Sequence, residues 1–599
     1  MNYKLFAANG ISAKGKLLPF EDFTLGGGLP LLEECRAEVI AAAEKVSPLP
    51  PPALPATLFA NFVRSGDRVA YETLFFARRN ELIALVFAEA YERQGRFTDR
   101  IVDRVWAILE ETTWVLPAHA EYGARVGNDT LPFSWKEGVT HSIDLLAAST
   151  GALLAVALSL VGKELDGFSR ELRPRILHAL ETRILLPYET REDLLWMCRL
   201  PGFDIDNWTP WILSNVLTVV ALTVKDKTRR EALVERAFPA LDCYTATYPE
   251  DGGCSEGPSY FWEAGCALFD VAEILYDMSG GRISLFGDRL LRAMGEYIPK
   301  VHISGKYFLN FADAPSTVPV QGRPLSRYGA ECNSPLMEQF GAAHLEELHV
   351  LATHNPYRTL CNLTVPVRPC PAPAPEKRVW FDGMQVMALR DQESGLFFAM
   401  KGGHNAECHN HNDVGSFVIY ADGEPLFADA GNDAYSAATF DPLLRYTLWQ
   451  NTSAYHNLLL PNGTAQKEGR EFSARTVWAG EDGLTLALEG AYPKEAGLLS
   501  YEREGRLTAQ GVTVTDRVKF AAPSKADFCF LVAEKPTLDG DVLRFPSGRE
   551  MTLPLGVSAT VEEIPLSSYM QRSWHRPLLW RVVATAEDVL EGTFAFSVR

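Results

Sequence analysis

The sequence predicts a multidomain α + β protein in which a helical N-terminal part is followed by an antiparallel β-sandwich. Up to about Leu360, apolar residues recur at three- and four-residue spacing, which is typical of amphipathic helices. After a proline-rich stretch, the chain forms short alternating or apolar runs that end in Gly and Asp, which is typical of strands. Because 599 residues exceed the size of a single hydrophobic core, two or more domains are expected.

The helical part is predicted from nine segments joined by short loops rich in Pro, Gly, Trp and Asn. Successive helices with short connections favour stacked antiparallel pairs, arranged either as a solenoid or as a closed ring. No fixed-period repeat is visible in the sequence, so a regular repeat array is less favoured. The predicted helices span 31–45, 69–93, 98–111, 141–161, 169–186, 210–224, 229–241, 258–278 and 286–303.

The proline-rich stretch at 365–375 is predicted to be a stiff linker, because its five prolines do not fit a helix. We therefore expect a helical domain over 1–364, a linker over 365–376 and a sandwich domain over 377–599. Many short strands without intervening helices favour an antiparallel sandwich. The strands expected there include 386–390, 396–401, 416–420, 484–489, 512–520 and 528–533.

Composition limits the partners of the protein. With 47% hydrophobic and 22% charged residues, the chain has an ordinary globular composition. Its formal net charge of −19 argues against a nucleic-acid or anionic-membrane partner, since phosphate binding needs a basic surface. An acidic ligand would need a local cluster of Arg and Lys. The candidates for that cluster are Arg78, Arg79, Arg323, Arg327 and Arg445.

Location is also suggested by the sequence. No apolar run long enough for a signal peptide opens the chain, which predicts a cytoplasmic protein, or a periplasmic one if the N-terminus was trimmed. Ten cysteines without a CxxC pair predict reduced thiols. The uncharged run at 145–162 approaches membrane-spanning length, but its polar residues and helical neighbours favour a buried helix. A homodimer is left open.

The stretch from Gly402 to Asn457 is the richest in groups that bind metals or move protons. Since alternate residues of a strand point to the same side, His409 and His411 are expected to face one site, with Asp429 and His456 on neighbouring strands. Two imidazoles and a carboxylate make a zinc set, and the alternative is a polar turn with hydrogen-bonded histidines. Four of the twelve histidines lie in this stretch, namely His404, His409, His411 and His456.

In the helical part, a glycine-rich loop at 248–257 carries Glu256 and precedes Pro258, which suits the first turn of a helix. Tyr260 is then expected in that first turn, where the helix dipole favours a phenolate. The alternative is that Glu256 caps the helix and Tyr260 packs. A second loop carries Asn207, either as a helix cap or as a neutral donor beside Trp208. Aromatic residues in similar loops suggest a carbohydrate-sized groove, and they are Trp114, His119 and Trp135.

These stretches resemble the heparinase II/III-like polysaccharide lyase family. The resemblance rests on His-Asn-His-Asn-Asp at 409–413, Asp-Ala-Gly at 429–431, Tyr-His-Asn at 455–457 and the segment that ends in Ser-Tyr at 259–260. It covers most of the chain. It implies an incomplete (α/α) toroid joined to an antiparallel β-sandwich, β-elimination of uronic-acid-containing glycans, and one zinc ion per chain in a mainly structural role.

The resemblance also implies residue roles. Tyr260 and His409 would serve as base and acid in either order, and Asn207 would contact the substrate carboxylate, although Trp208 follows it where some members have His. Tyr446, beside Arg445, resembles a second tyrosine of the oligoalginate-cleaving branch. The implied zinc ligands are His411, Asp429 and His456. The predicted substrate-binding residues are Trp208, Trp114, His119, Trp135, Glu256, His404 and Arg445.

The leading expectation is a lyase for acidic oligosaccharides, with heparin- or heparan-sulfate-type fragments ahead of oligoalginate or another uronate. A cytoplasmic location would favour exo-type action on short chains. Two other hypotheses stay open. One is a glycoside hydrolase that pairs Glu250 or Asp251 with Glu256. The other is a catalytically silent glycan-binding protein that keeps zinc as a structural element.

Overall fold

The helical part precedes the sheet, as expected. The computed structural model describes residues 3–24, 28, 30–120, 131, 141–199, 205–345, 351 and 354–599. Within these ranges the helices are α1 (Leu5–Ala8), α2 (Glu33–Val46), α3 (Ala56–Ser65), α4 (Val69–Glu92), α5 (Thr98–Leu109), α6 (Leu145–Phe168), α7 (Leu172–Leu180), α8 (Leu186–Thr190), α9 (Trp208–Thr223), α10 (Lys227–Thr247), α11 (Gly265–Ser279), α12 (Arg289–Val301), α13 (Gly322–Glu331), α14 (Pro335–Ala343), α15 (Pro356–Thr364) and α16 (Ser568–Trp574).

The long helices form two layers. In the inner layer α4 packs against α6, α6 against α9, and α9 against α11. The helices α5, α7, α10 and α12 pack against these four in turn, which gives the antiparallel pairs expected from the sequence. Inner helices such as α6 and α9 are apolar on nearly all sides and buried, whereas α5 and α12 bury a single face.

Helix α6 is long and apolar enough to cross a membrane by length and composition alone. In this fold, 83% of its apolar window is buried among other parts of the protein. It begins at Asp144, whose carboxylate accepts hydrogen bonds from the backbone amides of Leu146 and Ala147. The helix is therefore a core element of the helical part, in agreement with the sequence prediction.

The second part of the chain is a sheet region in which every described strand pair is antiparallel. The described strands are β1 (His302–Ser304), β2 (Tyr307–Phe308), β3 (Arg378–Phe381), β4 (Val386–Asp391), β5 (Leu396–Lys401), β6 (His404–Asn405), β7 (Phe417–Ala421), β8 (Glu424–Phe427), β9 (Leu459–Pro461), β10 (Gly469–Ser473), β11 (Arg475–Ala479), β12 (Gly483–Ala487), β13 (Leu498–Thr508), β14 (Gly511–Val532), β15 (Thr537–Asp539), β16 (Val542–Arg544), β17 (Glu550–Thr552), β18 (Ser558–Pro565) and β19 (Leu578–Val598).

The two longest strands pair with each other. β14 has 22 residues and β19 has 21, and they pair along most of their length with register shifts between Lys519 and Ala526. The first half of β14 pairs with β13, and the second half pairs with β9 and β8. The two short strands predicted at 512–520 and 528–533 are therefore parts of one bent strand.

Strands β4, β5 and β7 connect the two parts of the molecule, because both of their faces are buried. In β5, Phe397 and Ala399 belong to the core shared with the helices, whereas Phe398 and Met400 belong to a second core within the sheet region. This alternation follows the two-residue period of a strand. The helical part and the sheet consequently share one continuous core, which brings loops from both parts together at one site.

One predicted helix start is wrong. The expected helix at 258–278 begins instead at Gly265, and Tyr260 lies in a preceding 3₁₀ turn, Tyr260–Trp262. Gly257 has a φ of 91°, and a Cβ at this position would come within 2.9 Å of the Cβ of Ala314. The chain thus needs a tight glycine turn here, and the α-helix starts only after the turn is complete.

Candidate active site

The site is organised around Tyr260 and His409, which come from different parts of the chain. Their rings are stacked, with centroids 4.1 Å apart and an angle of 26° between the planes. His409 lies between β6 and β7 in a turn, where a φ of 58° places it in the left-handed region. A non-glycine residue in this region is uncommon and often marks a functional position. The predicted strand through His409 and His411 is therefore wrong, because the backbone turns between them.

Asp313 connects the two histidines. Its Oδ2 lies 3.0 Å from Nδ1 of His409, and its Oδ1 lies 3.0 Å from Nε2 of His411. Burial alone would raise the pKa of this carboxyl, but the hydrogen bonds with both histidines lower it well below its usual range. The two histidines do face one group, as expected, although the shared group is a carboxylate from the loop between β2 and α13.

Tyr435 extends this network to Tyr260. The two phenol oxygens are 2.6 Å apart, and the hydroxyl of Tyr435 donates to Oδ2 of Asp313 at 3.3 Å. Sequence reasoning missed both Tyr435 and Asp313. Tyr446, the second tyrosine chosen from the sequence, accepts instead from the side-chain amide of Asn410 at 3.4 Å.

The surroundings of Tyr260 favour its neutral phenol over the phenolate. Burial raises its pKa well above the usual value, and the charge of Asp313 raises it further, while the hydrogen bond with Tyr435 acts in the opposite direction. The expected effect of a helix dipole on Tyr260 is wrong, because Tyr260 lies in a 3₁₀ turn before the helix. The charge that raises its pKa is that of Asp313.

Glu256 and Asn207 lie beside the other ring nitrogen of His409. Oε2 of Glu256 is 3.5 Å from Nε2 of His409 and accepts a hydrogen bond from the side-chain amide of Asn207. Burial raises the pKa of Glu256 to about 7, although the charge of His409 lowers it in part. Burial lowers the pKa of His409, but its hydrogen bond with Asp313 outweighs this effect and the net shift is upward. Asn207 is buried and makes no side-chain cap of α9.

Two of the predicted aromatic residues lie together next to Asn207. The rings of His119 and Trp208 are 4.7 Å apart, and Nδ1 of His119 is 2.8 Å from Oδ2 of Asp144. Trp208 is half-buried, so part of its ring is accessible. Trp135 lies outside the described residues.

Three other predictions need correction. Trp114 is 2% exposed and donates its indole N–H to the carbonyl of Ile108, so its ring belongs to the core and offers no face to a sugar. Arg445 is buried and donates to Asp313 and to the carbonyl of Asn410, so it holds the loop in place. His404 pairs β6 with β10, and its Nδ1 accepts from the amide of Ala406.

The arginines expected to bind an acidic ligand are already paired with acidic groups. The pairs are Arg78 and Arg79 with Glu111, Arg323 with Glu34, Arg327 with Glu273, and Arg445 with Asp313. All but Arg323 with Glu34 are buried pairs. The positive charge that an acidic ligand requires must therefore come from another residue.

The predicted metal ligands come together below His409. One ligand atom each of His411, Asp429 and His456 lies within 4.8 Å of the other two, and all three residues are fully buried. Within the described part of the chain, Nδ1 of His411 and Nε2 of His456 have no hydrogen-bond partner. Buried orphan imidazole nitrogens next to a carboxylate fit a zinc ion, and Asp313 fixes the ring of His411 as an outer carboxylate does in zinc sites.

Comparisons with known proteins bear on the family and the fold. Residues 373–571 match the family described as Heparinase II/III-like, C-terminal, which confirms the resemblance carried by the sequence motifs. No curated protein matches the chain. Among solved structures, a heparinase III has a TM-score of 0.61 at 13% identity and covers 87% of this chain and 76% of its own. A heparan sulfate lyase from Pedobacter heparinus has a TM-score of 0.52 at 14% identity and covers 94% and 86%.

Proposed function

Because residues 373–571 are a heparinase II/III-like C-terminal domain and the fold is that of heparinase III structures, we propose that this protein is a lyase for uronic-acid-containing glycans. It would cleave them by β-elimination. The observation that carries the proposal is the stack of Tyr260 on His409, two groups able to move protons at the junction of the helical part and the sheet. Neither part of the chain contains both groups.

The reaction requires three changes at one sugar. A base takes H5, the electrons of the C5–H bond form the C4–C5 double bond, and the C4–O4 bond breaks as O4 receives a proton. Tyr260 and His409 divide the two proton transfers, and the epimer of the uronate decides which group faces H5. The charge that develops on the carboxylate needs donors nearby. Asn207 is the candidate donor, because its side-chain amide lies beside Glu256, which contacts His409.

The hydrogen-bonded row from Tyr260 through Tyr435 to Asp313 supports a role for Tyr260 in proton transfer. A phenol with a raised pKa is a poor base in isolation. In this row, Tyr435 donates to Asp313 and can accept from Tyr260, so the row fixes the orientation of the Tyr260 hydroxyl.

A zinc ion would be held by His411, Asp429 and His456 and would supply a fixed cross-link between the three loops that carry them. Asp313 then keeps His411 and His409 in a constant relative position through its two oxygens. The residues of this chain perform the proton transfers, and the ion would stabilise the loop that carries His409.

Heparan-type oligosaccharides are the first substrate class to consider, since the similar solved structures include a heparinase III and a heparan sulfate lyase. Exo-type action is supported by the segment at 436–440, which crosses from the sheet to the helical part. Ala437 is so near Gly66 that a Cβ there would approach within 3.1 Å, and Arg68 lies over Phe440 at 5.9 Å. The ring of Phe440 is 5.1 Å from that of Tyr435, so the segment lies against the site and would close one side of it to a longer chain.

The activity is tested with a panel of heparan, chondroitin, hyaluronan and alginate oligosaccharides, by the ultraviolet absorbance of the new C4–C5 double bond. We expect absorbance to rise with one class, with disaccharide-sized products from the start of the reaction. Cleavage without absorbance would identify a hydrolase instead. Early products of mixed length would contradict exo-type action. Metal analysis of the purified protein tests the zinc site, and absence of zinc with unchanged stability of His456→Ala would contradict it.

A further inference from the structure

Helix α16 lies beside the segment that carries both Asp429 and Tyr435. Three hydrogen bonds hold it there: Ser567 Oγ donates to Asp433 Oδ1 at 2.5 Å, Trp574 Nε1 donates to the carbonyl of Ala430 at 3.1 Å, and Asn432 Nδ2 donates to the hydroxyl of Tyr569 at 3.4 Å. Side chains on this short helix therefore have fixed positions relative to the Tyr260–Tyr435 pair.

Arg572 is an exposed cation on this helix, one turn after Tyr569. Its guanidinium lies 5.2 Å from the centre of the Tyr569 ring, which limits the positions that the side chain adopts. Within the described part of the chain it has no acidic partner within ion-pair distance. This distinguishes Arg572 from Arg78, Arg79, Arg323, Arg327 and Arg445, whose charges are neutralised by Glu or Asp.

Asn432 supplies a second polar group at the same place. Its side chain is 8% exposed, and Oδ1 has no hydrogen-bond partner among the described residues. A buried amide oxygen without a donor costs free energy unless a ligand or water satisfies it. A sugar hydroxyl is a suitable donor, and Asn432 lies only three residues before Tyr435.

We propose that Asn432, Tyr569 and Arg572 form a binding site for the acidic sugar adjacent to the one that reacts. Arg572 pairs with an anionic group of that sugar, a carboxylate or a sulfate, and Asn432 Oδ1 accepts a hydroxyl hydrogen bond. Asn207 lies on the Glu256 side of the Tyr260–His409 pair, whereas this site lies on the segment that carries Tyr435. The inference rests on the proposed function, because both sites take one acidic chain.

The test compares Arg572→Gln and Arg572→Lys with wild type in steady-state kinetics on sulfated and desulfated uronate oligosaccharides. For Arg572→Gln we expect KM to rise about fivefold, the scale of one exposed ion pair, with kcat nearly unchanged. Arg572→Lys should recover part of the loss. A rise in KM on both substrates assigns the carboxylate as the ligand, and a rise on the sulfated one alone assigns the sulfate. Unchanged KM on both overturns the site.

Arg170→Gln is the matched control, since this exposed arginine follows the C-terminal end of α6, about 36 Å along the helix from Asp144 near His119. It should behave as wild type. If wild type produces no absorbance with any uronate glycan, the proposed lyase activity fails, and calorimetric binding of the same oligosaccharides then tests the site. Weaker binding by Arg572→Gln supports the site. Equal binding, or no binding by wild type, overturns it.

Discussion

His409 and His411 are two residues apart and share one carboxylate, yet they occupy different environments. The side chain of His409 is 16% exposed and stacks on Tyr260, whereas His411 is fully buried and its ring is 5.4 Å from that of His456. Asp313 contacts each histidine with a different oxygen. The comparison shows that one buried acid separates this loop into a side that can meet substrate and a side that can hold a metal.

The largest effect is expected on the substrate side. Tyr260→Phe removes the phenol oxygen and keeps the ring that stacks on His409, so turnover should fall at least about hundredfold while oligosaccharide binding remains. The rate of double-bond absorbance measures turnover, and calorimetry measures binding. Tyr276→Phe, at an exposed position on α11, is the control and should match wild type. Wild-type turnover in Tyr260→Phe would remove Tyr260 from the mechanism.

A smaller effect is expected when Asp313, which contacts both His409 and His411, is replaced. Asp313→Asn weakens the hold on both histidines, so turnover and zinc affinity should each fall about ten- to hundredfold. Kinetics and metal titration of the same preparation measure both quantities, and Asp103→Asn on the exposed face of α5 is the control. If zinc affinity falls and turnover does not, Asp313 supports only the metal side, and the comparison drawn above is wrong.

The smallest effect concerns pH and Glu256, which lies beside the exposed histidine. Its pKa of about 7 exceeds the ~4.3 of an exposed Glu, because burial disfavours the charged form. The folded state therefore keeps a proton that the unfolded chain has released. The stability this provides is complete below about pH 4 and is lost as pH rises through 7.

In Glu256→Gln this titration is absent. Between about pH 5 and 7, wild type should lose stability relative to the variant by at most about 1.4 kcal/mol per pH unit. Urea unfolding at a series of pH values measures the difference. Glu338→Gln, at an exposed position on α14, should follow wild type. Parallel curves for wild type and Glu256→Gln would show that Glu256 does not titrate in this range.

Much of the fold follows from the sequence because periodicity reports burial. The helix predicted at 69–93 is observed as Val69–Glu92, and the strand predicted at 396–401 is observed as Leu396–Lys401. The bent strand Gly511–Val532 was not predicted, since Ala521 to Ser524 look like a turn when only local pattern is used. Pairing with β19 continues on both sides of that bend, and such long-range pairing is invisible in a local window.

Only those residues of the candidate site that belong to a recognisable sequence motif could be predicted. His411, Asp429 and His456 do converge, and Tyr260 does meet His409. Asp313 and Tyr435 lie in loops without a distinctive pattern, and their positions depend on backbone conformations such as the φ of 65° at Ala312. The prediction that Trp114 binds a sugar is wrong because local sequence does not show whether an aromatic residue in a loop is exposed or buried. Trp114 is buried in the core.

The doubly buried strands β4, β5 and β7 have a consequence for how this protein can be divided. Without the helical part, one face of the sheet would expose a continuous apolar surface to solvent. That surface includes Val386, Phe397, Ala399 and Val418. Such a surface favours aggregation. We therefore expect residues 373–599 to aggregate when they are produced alone, so that their activity could not be measured. The linker separates the helical part from the sheet along the chain, but the two parts depend on each other for stability. They must therefore be produced, purified and engineered as one molecule.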